Sequence, residues 1–187
     1  MNAFDYFVFY FIIKHDDSKQ IEVQELQNEL ESTYNNGSTK NPSEIFQKYS
    51  NEIKTIREKA KNVFEVVSST RNTVKIRFLE SKLSQFILKS FGDEDKKNIL
   101  MTTIDAAKNV AIIMEKNDLP QTTCYRKINE LIKEGFFIIT KYTTDNRQTR
   151  KYQSLFLNLQ ISIKKNEIIL VGTIPKQIYE KSSFVKN

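Results

Sequence analysis

"LPQTTCYRKINELIKEG", residues 119–135, is the stretch on which the reading of the whole chain turns. Pro120 suits the first turn of a helix, where its missing N–H leaves nothing unsatisfied. From there Cys124, Ile128, Leu131 and Ile132 recur at steps of three and four and share one face. The opposite face carries Gln121, Thr122, Tyr125, Arg126, Asn129 and Lys133. Short polar groups come first and a basic cluster follows. Gln and Arg can each take two hydrogen bonds to a base edge, and Thr can donate, accept or touch a thymine methyl. Such side chains make a poor core and are unnecessary on a generic surface. Cys124, on the inner face, reads as a small packing residue rather than a redox thiol.

The flanks extend this helix into a unit. Gly92 is expected to close one helix through a left-handed turn, and Asp93 to cap the next, with Glu94 and Asp95 suiting its positive end. Ile99, Leu100, Thr103 and Ile104 supply that helix's inner face. Asn109 is a second N-cap candidate, followed by Val110, Ile113 and Met114 over about two turns. Downstream, Gly135 ends the 120–134 helix. "FFIITKY" (136–142) has strand composition, "TTDNRQT" is a polar turn, and "RKYQSLF" (150–156) returns as a second strand. Three short helices and a basic-tipped hairpin give the order of a winged helix-turn-helix. Residues 120–151 hold seven basic and three acidic side chains, which favours phosphate contact.

The stretch from about residue 93 to 156 resembles the ArsR/MarR-type winged-helix domains of archaeal transcriptional regulators. The parts that carry the likeness are "LPQTTCYRKINELIKEGFF" and "RKYQSLF". The resemblance implies that Thr122, Thr123, Tyr125 and Arg126 face DNA while Cys124 and Ile128 are buried. It also implies a wing, residues 141–151, that carries Arg147 and its neighbours to a minor groove or its phosphates. The paired metal-sensing cysteines of many ArsR members are missing, so metal sensing does not carry over.

Outside this unit the patterns are looser. "FDYFVFYFII" (residues 4–13) is the most apolar run, about half a membrane span and containing Asp5; it reads as core, and as helix from the spacing of Phe4, Phe7, Val8, Phe11 and Ile12. Val23, Leu26, Leu30 and Tyr34 outline an amphipathic helix. Asn41-Pro42-Ser43-Glu44 is a good helix start. Phe46, Tyr49, Ile53, Ile56, Ala60, Val63 and Val67 then alternate steps of three and four, the seam of a coiled coil or of a long helix lying on its own core. Beyond "SSTRNT", Ile76, Leu79, Leu83, Phe86 and Ile87 suggest a further helix, with Val74, Ile76 and Phe78 leaving a short strand open. Leu157, Leu159, Ile161 and Ile163 alternate strictly, turn at Lys165-Asn166, and return through Ile168 and Leu170 as a hairpin. No repeat of fixed period is visible.

The expected fold class is therefore mainly α with a small antiparallel β component. The expected domains are a helical N-terminal region at 1–91 for dimerisation or sensing, a winged helix-turn-helix with its hairpin at 92–174, and a flexible tail at 175–187. Charge agrees: residues 1–91 hold 13 basic and 12 acidic side chains, residues 92–187 hold 16 and 11. One Cys and one His rule out a Cys/His zinc site within the chain and give no sign of an oxidising compartment, so a cytoplasmic protein without cofactor or metal is expected. His15 lacks catalytic company, and the four glycines form no phosphate loop, so no enzyme is expected. The expected function is sequence-specific binding of double-stranded DNA by a transcriptional regulator, a homodimer through its N-terminal helices. Gln121, Thr122, Tyr125 and Arg126 would face bases, and Thr123, Lys127, Lys133, Arg147, Arg150 and Lys151 would hold phosphates. The alternative is a winged-helix adaptor that binds protein.

Overall fold

The computed structural model describes residues 2–15, 25–30, 32, 42–144, 147–165 and 167–182. Val23, Tyr34, the Asn41 cap, the wing tip at 145–146, Asn166 and the end of the tail lie outside the described residues. In chain order the elements begin with α1 (Ala3–His15), the helical residues 25–30 as α2, α3 (Pro42–Lys48), α4 (Ser50–Ala60), β1 (Phe64–Ser69), β2 (Thr73–Phe78) and α5 (Ser81–Gly92). They continue with α6 (Glu94–Thr102), α7 (Val110–Asn117), α8 (Gln121–Lys133), β3 (Phe137–Thr144), β4 (Arg147–Ser154), β5 (Asn158–Lys164), β6 (Glu167–Pro175) and α9 (Lys176–Glu180).

The mainly-α expectation is corrected. Four strands form an antiparallel sheet in the order β1-β2-β6-β5, and β3 pairs with β4 in a second sheet, so helix and sheet share the fold. The strand that spacing left open is real: Val74, Ile76 and Phe78 are buried while Lys75 is exposed, the period of two that a sheet imposes. The coiled-coil seam is corrected too. Helix α3 stops at Lys48, α4 ends at Ala60, and the chain enters β1 at Phe64. Val63 lies in the turn, and Val67 is 54 % exposed on a strand with a register shift beside it. Ile53, Ile56 and Ala60 are buried within the chain, where α4 packs on α1. A run of threes and fours cannot distinguish one long helix from a short helix followed by β-branched strand residues.

Helix α1 is the centre of the molecule. Every residue from Ala3 to Ile13 is buried, as befits a helix apolar on all sides. Asp5 shares that burial because Ser182 Oγ donates to its carboxylate. Phe7 gathers rings from four directions: Phe78 of β2 at 6.5 Å, Phe86 of α5 at 6.1 Å, Phe136 before β3 at 5.4 Å and Phe156 before β5 at 5.3 Å. Their tilted and edge-on packing adds to the burial of their area. Helix α5 ends at Gly92 as expected, but without a left-handed turn; Asp93 follows in extended geometry.

The sheet crosses the expected boundary between residues 91 and 92. Strand β2 pairs with β6 from Thr73↔Pro175 to Phe78↔Leu170, and β6 pairs with β5 from Asn158↔Thr173 to Lys164↔Glu167. The close fit needs Gly172, where a Cβ would meet the Phe156 and Phe78 rings at 3.0 and 3.1 Å. No helix among the described residues is long and apolar enough to cross a membrane.

Candidate nucleic-acid interface

The helical unit is assembled by its caps. Asp93 accepts a hydrogen bond from the Lys96 N–H and starts α6; Asn109 accepts from the Ile112 N–H and starts α7. Each side chain satisfies one of the N–H groups that a helix start leaves unpaired. Asp118 takes a left-handed conformation at φ 48° and turns the chain into Leu119 and Pro120, from which α8 departs. The first turn of α8 has no acidic residue and no side-chain cap, so its positive end is uncompensated. Lys108 forms a bridge with Tyr152 (N–H to carbonyl distances of 2.9 and 2.8 Å) and adds one residue of a third strand to the wing.

Helix α8 is held from behind. Cys124, Ile128, Leu131 and Ile132 are buried, and burial pushes the Cys124 thiol above its ordinary value. Lys96 of α6 reaches Glu130 at 3.1 Å and Glu134 at 2.8 Å, and Ser90 Oγ donates to Glu134 at 3.0 Å. Burial works against the Lys96 ammonium, but Glu134 and Glu130 outweigh it and hold its pKa above the usual lysine value. Lys127 ion-pairs with Asp93. Burial favours the neutral Asp93 carboxyl, yet the Lys127 hydrogen bond and the Lys96 N–H outweigh it and keep the group below the carboxylate range. Glu130 is lowered in the same way: burial opposes ionisation, while Lys96 and Arg126 favour it. At its far end Tyr6 donates to the Lys133 carbonyl at 3.2 Å. Gly135 then turns at φ 79°, where a Cβ would lie 2.7 Å from the Phe7 Cα.

The front of α8 is open. Gln121, Thr122, Tyr125, Arg126 and Lys133 are exposed, as is Asn129, and Thr123 is half-buried. Arg126 rests on Glu130 at 2.8 Å in an exposed i, i+4 pair, a contact weak enough to exchange for another anion. Lys127 departs from expectation. It is buried beside Asp93, because its position, three residues after Cys124 and four before Leu131, lies on the inner side of the helix.

The wing pairs Phe137↔Ser154 through Thr144↔Arg147. Lys141 stands opposite Arg150 and Ile139 opposite Tyr152, so these four share one face; Lys151, opposite Thr140, points the other way. Arg150 and Lys151 are half-exposed, and Arg147 opens β4, its side chain outside the described residues. Burial raises the pKa of the Tyr152 hydroxyl, while the positive charge of Arg150 works the other way. Lys108 was missed by sequence reading, because "DAAK" looked like a bare link and the single bridge that places Lys108 beside β4 involves a distant segment. The chain has no match among protein-family models, curated proteins or solved structures.

Proposed function

We propose that this chain binds double-stranded DNA with sequence preference and acts as a transcriptional regulator. Helix α8 enters the major groove with Gln121, Thr122, Tyr125 and Arg126 toward base edges. Thr123, Lys133, Arg150 and Lys151 hold the backbone, with Arg147 and Lys108 beside them. The uncompensated start of α8 adds partial positive charge where phosphates pass. The reading rests on one observation above all: the polar and basic side of α8 is exposed next to a basic β-hairpin, while the apolar side is buried and clamped from behind. Charged side chains on a merely solvated face need no such support.

A homodimer stays within the proposal with its contact moved. The apolar residues of α1 and α4 are covered by the chain itself, whereas edge strand β5 exposes Ile161 and Ile163 and, among the described residues, pairs only with β6. Antiparallel pairing of two copies about Ile161 would set Ile163 against Leu159 and Lys164 against neutral Asn158, with no like charges opposed.

The test is selection of bound sequences from a random duplex pool at two salt concentrations. An enriched sequence whose affinity falls steeply with salt is the expected result. No enrichment, together with salt-insensitive capture of a protein partner, would replace this proposal with the adaptor.

A further inference from the structure

The order of elements in α7, α8, β3 and β4, two helices followed by an antiparallel strand pair, occurs a second time in the chain. Helix α3, helix α4 and the antiparallel pair β1–β2 follow one another in the same order. The buried positions are Tyr49 just before α4 and Ile53, Ile56 and Ala60 within it; 75 residues later stand Cys124, Ile128, Leu131 and Gly135, also buried. Strands β1 and β3 open with Phe64 and Phe137, 73 residues apart. Over residues 49–60 only Ile53 and Ile128 are identical in this frame, so the likeness is invisible as a sequence repeat. Both units lean on α1: α4 packs against it, and Gly135 and the Lys133 carbonyl at the end of α8 touch Phe7 and Tyr6.

The outer face is repeated as well. In the same frame Ser50, Asn51 and Lys54 take the places of Tyr125, Arg126 and Asn129, and all six are exposed. Residues 120–151 hold seven basic and three acidic side chains, and residues 45–76, the same window moved back by 75, also hold seven and three. Each window carries a net +4 in a chain of net +6, so the near-neutral total for residues 1–91 conceals a basic stretch with the same net charge as α8 and its hairpin together. The β1–β2 tip is fixed by hydrogen bonds between Thr70 and Thr73 and presents an exposed Arg71, with Lys75 exposed on β2.

We infer that α4 and the β1–β2 hairpin form a second contact with duplex DNA, so that one chain grips two segments of the same duplex. Ser50, Asn51 and Lys54 face base edges; Arg71 and Lys75 hold phosphates. Asn suits adenine and Lys suits guanine in the major groove. This inference rests on the proposed role of α8, and the two are separable by experiment.

The full chain is footprinted on the duplex selected from the random pool, and affinity is measured by anisotropy across salt concentrations. The variants are Asn51→Ala with Lys54→Ala, Arg71→Ala with Lys75→Ala, and Arg126→Ala alone. Asn51→Ala/Lys54→Ala should lose about tenfold or more in affinity, shorten the protected segment and relax preference in a block of bases distinct from that relaxed by Arg126→Ala. Arg71→Ala/Lys75→Ala should lower the salt slope by about two. Lys54→Gln, which keeps the stem and the helix propensity, guards against a folding artefact and should relax the same block. Parent-like length, preference and salt slope in all the α4 and hairpin variants, with Arg126→Ala still impaired, would overturn the inference and leave α8 as the reader. Failure of the parent chain to bind any duplex would overturn both.

Discussion

Lys127 and Lys151 show how little residue type says about role. Both are lysines of the basic stretch, yet Lys127 is buried against Asp93 and Lys151 is half-exposed on β4. Lys127→Ala is expected to lower stability by about 1–3 kcal/mol in urea denaturation, because it strips the Asp93 carboxylate of its partner. Its salt slope for DNA should match the parent's. Lys151→Ala should do the reverse, leaving stability alone and reducing that slope by about one. Arg126→Ala is expected to relax base preference with a loss of about tenfold on the selected duplex. Gly135→Ala tests a backbone requirement. The left-handed φ and the 2.7 Å approach to Phe7 predict a loss of more than about 2 kcal/mol, read from the same denaturation curves.

At the scale of elements, the ion-pair cluster between α6 and α8 makes stability depend on acid. Asp93 and Glu130 have folded pKa values below their ordinary 3.8 and 4.5. A lowered carboxylate stabilises the fold above the unfolded value, and that contribution is lost as pH falls through the folded one. Thermal melting should therefore worsen steeply below pH about 4. Asp93→Asn keeps an N-cap while removing the charge, so its melting temperature should fall less over the same interval. The elements themselves were unequally legible. The stretch from Asp93 to Phe156 could be read because each of its signals is local: Asp93, Asn109 and Pro120 at helix starts, Gly135 at an end, strand formers after it. Residues 46–67 could not, since their spacing satisfies a coiled-coil seam as well as a helix followed by a strand. Lys127 was misplaced because one step of 100° around a helix separates an outer position from an inner one.

At the scale of the molecule, the division at residues 91 and 92 does not survive the pairing of β2 with β6 and the position of Phe7. That pairing joins segments about a hundred residues apart, a distance no local pattern conveys. Phe7→Ala is expected to cost about 3–5 kcal/mol and to shift helix and sheet signals together in one transition. A fragment of residues 92–174 should lack the dispersed amide spectrum of a folded domain, because β6 loses β2 and the end of α8 loses α1.

The placement of α1 also has a consequence during synthesis. Ala3–His15 leaves the ribosome well before Glu167–Pro175, yet its aromatic sides are covered by segments drawn from the whole length between. The side of Phe7 that meets Phe136 and Phe156 must wait uncovered while more than a hundred residues are translated, which exposes the nascent chain to aggregation over that interval.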